Sequence, residues 1–170
     1  MLLWFAGVSL VLVWAVFRDP AIDYRVVVAG ALAPDLVDLI VGRAFVAHTL
    51  AFSVTLLVVV MMATRRRRPA RRRYLALPIG TFAHLLLDGV WARTMLFWWP
   101  AFGAGFNDGP IPSLSRPAAL TVVFEVAGAV ALVWWVRHFR LHERARRDAF
   151  FRTGRLGREF RPGAGLGEIA

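Results

Sequence analysis

The chain has 170 residues, of which 58% are hydrophobic and only 19% are charged. Several apolar runs approach the length of about 20 residues that a helix needs to cross a bilayer, so the composition predicts an all-α membrane protein. The absence of cysteine excludes a disulfide framework and a thiolate metal site. The net charge of +10 comes from arginine alone. Because the arginines cluster beside the apolar runs, they indicate membrane topology rather than a nucleic-acid partner.

Four apolar segments are predicted to span the membrane as helices, and a fifth is not. The first is interpreted as a retained helix because it lacks the basic start and cleavage site of a signal peptide. The fifth, Val26–Gly42, is apolar but contains Pro34, Asp35 and Asp38. Unpaired carboxylates are costly in lipid, so it is predicted to be a re-entrant or interfacial helix packed on the second and third spans, its aspartates inward. The predicted spans are Leu2–Phe17, Ala44–Ala63, Tyr74–Ala92 and Pro117–Val136.

Two dense groups of arginine predict the orientation in the cell membrane. One fills the connection Arg65–Arg73 and the other lies beyond Arg137, and arginine is enriched in cytoplasmic segments. With four spans, the N-terminus is predicted to be cytoplasmic as well as the C-terminus. Residues 1–136 are predicted to form the helical membrane domain, and residues 137–170 a basic cytoplasmic tail. This tail is expected to be partly disordered and to lie partly as a helix along anionic lipid headgroups.

A few ionisable residues lie inside the apolar stretches. Asp35 and Asp38 are three positions apart, and His84 and Asp88 are four apart, so each pair shares one helix face. With the predicted topology, His48, His84 and Asp88 all fall in the outer half of the membrane. Carboxylates and imidazoles are ligand types that divalent metals accept. The pattern therefore predicts a metal site formed by Asp35, Asp38, His48, His84 and Asp88.

Two further carboxylates are candidates for carrying protons at this site. Glu125 lies about two turns into the fourth predicted span, and Asp108 lies in the outer loop above it. The candidates also have structural alternatives. Asp35 is a favourable helix N-cap residue, His48 can form polar contacts between helices, and Asp108 in GFNDGP fits a turn. Glu125 can instead pair with an arginine or with a neighbouring helix.

Four segments of the chain together resemble a known family. GALAPDLVD, AHTLAF, GTFAHLLLDGVW and MLFWWPAF lie within roughly Gly30–Phe106. They resemble the bacterial and archaeal inner-membrane proteins called membrane-bound metal-dependent hydrolases, which include the LexA-regulated YdjM-type proteins. Alanine replaces the family's hydroxyl residue directly before each histidine. The resemblance places the family's paired aspartates at Asp35 and Asp38, its first histidine at His48, its His-x-x-x-Asp pair at His84 and Asp88, and its closing Trp-Pro at Trp99–Pro100.

The residues and the resemblance favour a metal-dependent hydrolase acting on a lipid or lipid-linked ester or phosphodiester at the outer face of the membrane. One or two divalent metal ions, with zinc expected, would activate water for this reaction. The same residues also fit a non-enzymatic membrane protein that moves ions or protons, or scaffolds a partner, through a polar relay. Membrane lipids are the expected partners in both cases. Only the hydrolase requires stoichiometric metal.

Overall fold

Helices make up the regular structure of the residues that the computed structural model describes, which are 1–41, 46–103 and 116–157. The predicted all-α class is confirmed. The helices are α1 (Leu2–Phe17), α2 (Tyr24–Val41), α3 (Leu50–Ala63), α4 (Arg68–Tyr74), α5 (Ala76–Asp88), α6 (Thr94–Phe97), α7 (Ala118–His138) and α8 (Arg144–Thr153), with 3-10 turns at Val46–His48 and Val90–Ala92.

Local capping places His48 outside a helix. The second predicted span begins later than expected, at Leu50, because Thr49 adopts an extended backbone. The Thr49 hydroxyl caps α3 by accepting a hydrogen bond from the Phe52 N–H at 3.1 Å. His48 therefore lies in the 3-10 turn that precedes α3, and its ring approaches the bundle from a loop.

α2 is one continuous helix despite an internal proline, Pro34. It begins beside the arginine-rich segment, where Asp23 Oδ2 lies 3.2 Å from Arg73 Nε. Near its other end, Asp35 Oδ1 lies 3.6 Å from His84 Nε2, in the last part of α5. α2 therefore runs alongside α5 from one end of the bundle to the other. The re-entrant form of the prediction is not supported, since α2 does not turn back, whereas its packing on α5 agrees with the predicted packing on the third span.

Glycine lets α2 and α5 approach until their backbones touch. A Cβ built on Gly80 would lie 2.2 Å from the Val27 carbonyl oxygen, and one built on Gly30 would lie 2.3 Å from the Leu77 carbonyl oxygen. No side chain fits such a crossing, so these small residues set the distance between the two helices. α2 also packs on α1, a contact that the sequence did not predict. Asp38 is fully buried, as predicted.

α1 and α7 lie side by side and run in the same direction. Near their starts, the Leu3 N–H donates to Glu125 Oε2 at 2.8 Å. Near their ends, the rings of Trp14 and Phe139 meet edge-on with centroids 4.9 Å apart. The N-terminus and the arginine-rich tail therefore lie at opposite ends of the bundle. The prediction that both termini are cytoplasmic is not supported by this arrangement, because α2 runs the length of the bundle between them.

The segment that follows α7 packs against the bundle. Phe139 is buried in the same hydrophobic cluster as Tyr24, the first residue of α2. The Tyr24 N–H also donates to the Gly154 carbonyl oxygen at 2.8 Å. Residues of the predicted tail therefore pack against residues of the predicted membrane domain. Residues 158–170, which include the stretch predicted to be disordered, lie outside the described residues.

Among the described residues, α7 is the helix that is both long and apolar enough to cross a membrane. α1 and α3 are apolar but have only 16 and 14 residues. α2 has 18 residues, but they include Arg25, Asp35 and Asp38. By length and composition, the described part of the chain thus contains one helix that could span a bilayer.

Candidate metal centre

Two histidines face each other where α2, α5 and the turn before α3 meet. The Nε2 atoms of His48 and His84 lie 3.2 Å apart, and both rings are fully buried. Asp35 Oδ1, from α2, lies 3.4 Å from His48 Nε2 and 3.6 Å from His84 Nε2. We call these three atoms the ligand triangle. Each comes from a different segment of the chain.

The size of the ligand triangle matches a zinc coordination sphere. Bonds of about 2.0–2.2 Å in tetrahedral geometry place ligand atoms about 3.3–3.6 Å from one another. The observed separations of 3.2, 3.4 and 3.6 Å lie within or close to this range. Asp35, His48 and His84 could therefore hold one metal ion. Three protein ligands would leave a fourth position open, as catalytic zinc sites do.

Hydrogen bonds decide which nitrogen of each ring faces the triangle. His84 Nδ1 lies 2.7 Å from the Ala31 carbonyl oxygen, which can only accept, so Nδ1 carries the ring proton. By the same argument, His48 Nδ1 donates to Asp38 Oδ2 at 2.7 Å. In neutral rings each Nε2 atom then carries a lone pair, and the two lone pairs face each other. Such lone pairs repel unless a cation or proton lies between them, and this supports the fit to a metal ion.

Asp38 takes a different role from the one predicted. Its Oδ2 binds His48 Nδ1, on the side of the ring away from the ligand triangle. Three positions along a helix turn two side chains by about 60° relative to each other. Asp35 therefore reaches the Nε2 side of the His48 imidazole, while Asp38 reaches its Nδ1 side. The structure corrects the predicted ligand to a residue that orients a ligand, a contact typical of metal-binding histidines.

Asp88 lies beside the triangle and connects it to an arginine. It ends α5, because Gly89 adopts a left-handed φ of 69°. Asp88 Oδ2 lies 3.8 Å from His48 Nε2, and Asp88 Oδ1 lies 3.0 Å from Arg116 Nη2. Sequence reasoning missed the second contact. The two residues are 28 positions apart, and no periodicity within one helix could have paired them.

Of the two predicted proton carriers, Glu125 is among the described residues. Glu125 Oε2 accepts the Leu3 N–H at 2.8 Å, at the uncapped start of α1. A carboxylate there interacts favourably with the helix dipole, which accounts for its presence on an apolar helix. The structure thus gives Glu125 a contact that joins α7 to α1, and the catalytic role predicted for it stays a prediction. Asp108 lies outside the described residues.

Apolar packing closes the centre on one side and leaves it accessible on another. The Phe5 ring lies on His84 with centroids 4.0 Å apart, and Phe5 itself is fully buried. The side chain of Asp35 is 23% exposed. The histidines are therefore shielded from water, while the triangle opens beside the Asp35 carboxylate. Dry, fixed ligands with one accessible edge are the arrangement that metal-assisted hydrolysis requires.

Comparison of the chain with protein-family models, with characterised proteins and with solved structures found no match. The family resemblance in four short segments therefore remains a prediction from the sequence. The ligand triangle, its two orienting hydrogen bonds and its open edge are the features from which a function is inferred.

Proposed function

We propose that the protein is a multi-pass membrane hydrolase in which Asp35, His48 and His84 hold a divalent metal ion, most suitably zinc. The proposed substrate is a lipid or lipid-linked ester or phosphodiester. The observation that carries the proposal is the pair of Nε2 atoms facing each other at 3.2 Å, with Asp35 Oδ1 completing a triangle of coordination size. When bound, such an ion lowers the pKa of its water and polarises the scissile group.

The protein's own residues prepare the centre for this chemistry. Asp38 and the Ala31 carbonyl hold the two imidazoles in the tautomer that presents Nε2. Phe5 keeps water away from the His84 ring. Asp88 lies 3.8 Å from His48 Nε2 and is placed to accept a proton from water at the open position. This role replaces the one that the sequence suggested for Glu125.

The proposed topology has five passages, formed by α1, α2, α3, α5 and α7. The arginines of α4 and of the segment after α7 are cytoplasmic, so the opposite end, with the metal centre and the N-terminus, faces outward. α5 has 13 residues and is about 20 Å long, shorter than the roughly 30 Å hydrocarbon core. A short helix brings the outer polar surface of the bilayer closer to Asp88, where lipid headgroups meet the site.

A reporter fused at the N-terminus is expected to be extracytoplasmic, and one fused after Arg73 or at Ala170 cytoplasmic. The reason is that α1 and α7 run in the same direction, while both arginine groups lie at one end. A phosphatase and fluorescent-protein pair, each active on only one side of the membrane, makes the measurement. Finding both termini on the same side would contradict the five-passage arrangement.

The hydrolase proposal is tested by metal analysis of the detergent-purified protein. About one zinc per chain is expected, together with hydrolysis of lipid esters or phosphodiesters that stops on chelation and returns with zinc. Stoichiometric metal with no turnover on either substrate class would show that the protein binds metal, and it would contradict the hydrolase proposal.

A second function is favoured by one observation, the continuous polar chain from Asp38 through His48 to His84, with Asp88 beside it. The contacts along this chain are 2.7, 3.2 and 3.8 Å long. A protonated chain of this kind carries protons without any metal. In that case the purified protein contains no metal, and proteoliposomes show proton flux that His48→Ala abolishes.

A further inference from the structure

Arg116 reaches the edge of the metal centre through a single carboxylate. Its Nη2 lies 3.0 Å from Asp88 Oδ1, and the other oxygen of Asp88 lies 3.8 Å from His48 Nε2. The same Nη2 also donates to the Asp88 carbonyl oxygen. The guanidinium lies over the Phe124 ring, with 5.3 Å between its central carbon and the ring centroid. These contacts hold the cation in one place beside the ligand triangle.

The guanidinium keeps hydrogen-bond donors for a ligand. Arginine has five N–H donors, and here Nη2 donates to the Asp88 carbonyl oxygen and forms an ion pair with Asp88 Oδ1. Nη1 faces the Met1 sulfur at 3.6 Å, which is a weak acceptor. The side chain is 18% exposed, so an anion can approach it. A fixed, accessible guanidinium with spare donors is suited to a phosphate group, whose oxygens accept two parallel hydrogen bonds.

The charge balance of the centre also favours phosphate binding by Arg116. As carboxylates, Asp35, Asp38 and Asp88 carry three negative charges, and histidines that coordinate a metal through Nε2 are neutral. One divalent ion therefore leaves the centre with one excess negative charge, which would repel an anionic substrate. Arg116 cancels that charge. Without it, a phosphate would have to enter a negative site.

We propose that Arg116 binds the phosphate group of the substrate, so that the centre acts on phosphate esters in preference to carboxylic esters. This inference rests on the proposed hydrolase function and narrows its substrate class. Arg116 and the metal would hold two oxygens of one phosphate. The phosphate could belong to a lipid headgroup or to a free phosphate compound, and the two sources share the same recognition chemistry.

The test measures phosphate binding, not turnover, on the full-length protein in detergent. Titration calorimetry with inorganic phosphate, and with a short-chain phosphatidylglycerol, is expected to show binding to the wild type. We expect Arg116→Gln to weaken it about tenfold or more. Arg116→Lys should recover only part of this loss, because lysine keeps the charge but lacks the planar fork. Tighter binding of the lipid than of phosphate would identify a headgroup as the source.

A matched control removes the same charge elsewhere. Arg147→Gln, at an exposed position of α8, should bind phosphate like the wild type. The metal content of Arg116→Gln should be unchanged or higher, since its loss makes the centre more negative. Unchanged phosphate binding in Arg116→Gln would overturn the inference, and so would an equal loss in Arg147→Gln. Failure of the hydrolase proposal is distinguished by the metal content of the wild type: a wild-type protein without metal would contradict that proposal, whatever the phosphate titration shows.

Discussion

His84→Ala is expected to remove bound metal and hydrolytic activity together, while the protein remains folded. The substitution deletes one corner of the ligand triangle, 3.2 Å from His48 Nε2. It also replaces a polar ring at a fully buried position by a methyl group, so α5 is more apolar in the variant than in the wild type. Metal content, measured by mass spectrometry on purified protein, should fall from about one ion per chain to nearly none. Activity should fall by more than the 10–100-fold that changes around a ligand typically cost.

A graded pair of variants separates coordination from general damage. Asp38→Asn keeps the size of the side chain but weakens the hydrogen bond that orients His48, so metal affinity should fall about 10–100-fold without being abolished. Glu125→Gln alters a carboxylate of α7 that accepts the Leu3 N–H instead, and it should leave metal binding unchanged. Retention of metal by His84→Ala would show that the triangle is not the site.

Gly80→Ala is expected to destabilise the protein and to disturb the metal centre from a distance. Its Cβ would lie 2.2 Å from the Val27 carbonyl oxygen and 2.9 Å from the Ala31 nitrogen, both backbone atoms that cannot rotate aside. α2 and α5 must therefore separate, at a cost of about 1–3 kcal/mol or more. The separation stretches the 2.7 Å bond between His84 Nδ1 and the Ala31 carbonyl. Thermal unfolding in detergent should shift down, and metal affinity should fall with it.

The matched control for this prediction is Gly128→Ala. Its Cβ would meet the backbone of Leu3 and Trp4 at 2.3 Å, so it forces apart α1 and α7 instead. α7 carries none of the ligands, so this variant should lose stability while keeping its metal. If both variants kept wild-type metal affinity, the helix spacing set by Gly80 would have no influence on the centre.

Several features of the fold could be predicted from the sequence because they depend on residues that are close together in the sequence. Apolar runs in lipid must be helical, and the predicted bounds of α1 agree with the structure while those of α7 differ by one or two residues. The spacing of His84 and Asp88 placed both on one face of a helix, and both lie at the site. The start of the second predicted span was misplaced because α3 begins after the Thr49 cap, and a search for apolar runs does not take capping into account.

The pattern of amino acids was enough to predict the helical class, the approximate extent of several helices and the residue types available for a metal site. How those residues are used depends on the packing of the helices. It placed Asp35 at the ligand triangle and Asp38 behind His48, since two neighbouring carboxylates are distinguished only by what packs against each. It also paired Asp88 with Arg116 and set the N-terminus opposite the arginines. These outcomes depend on contacts between distant segments, which local spacing does not encode.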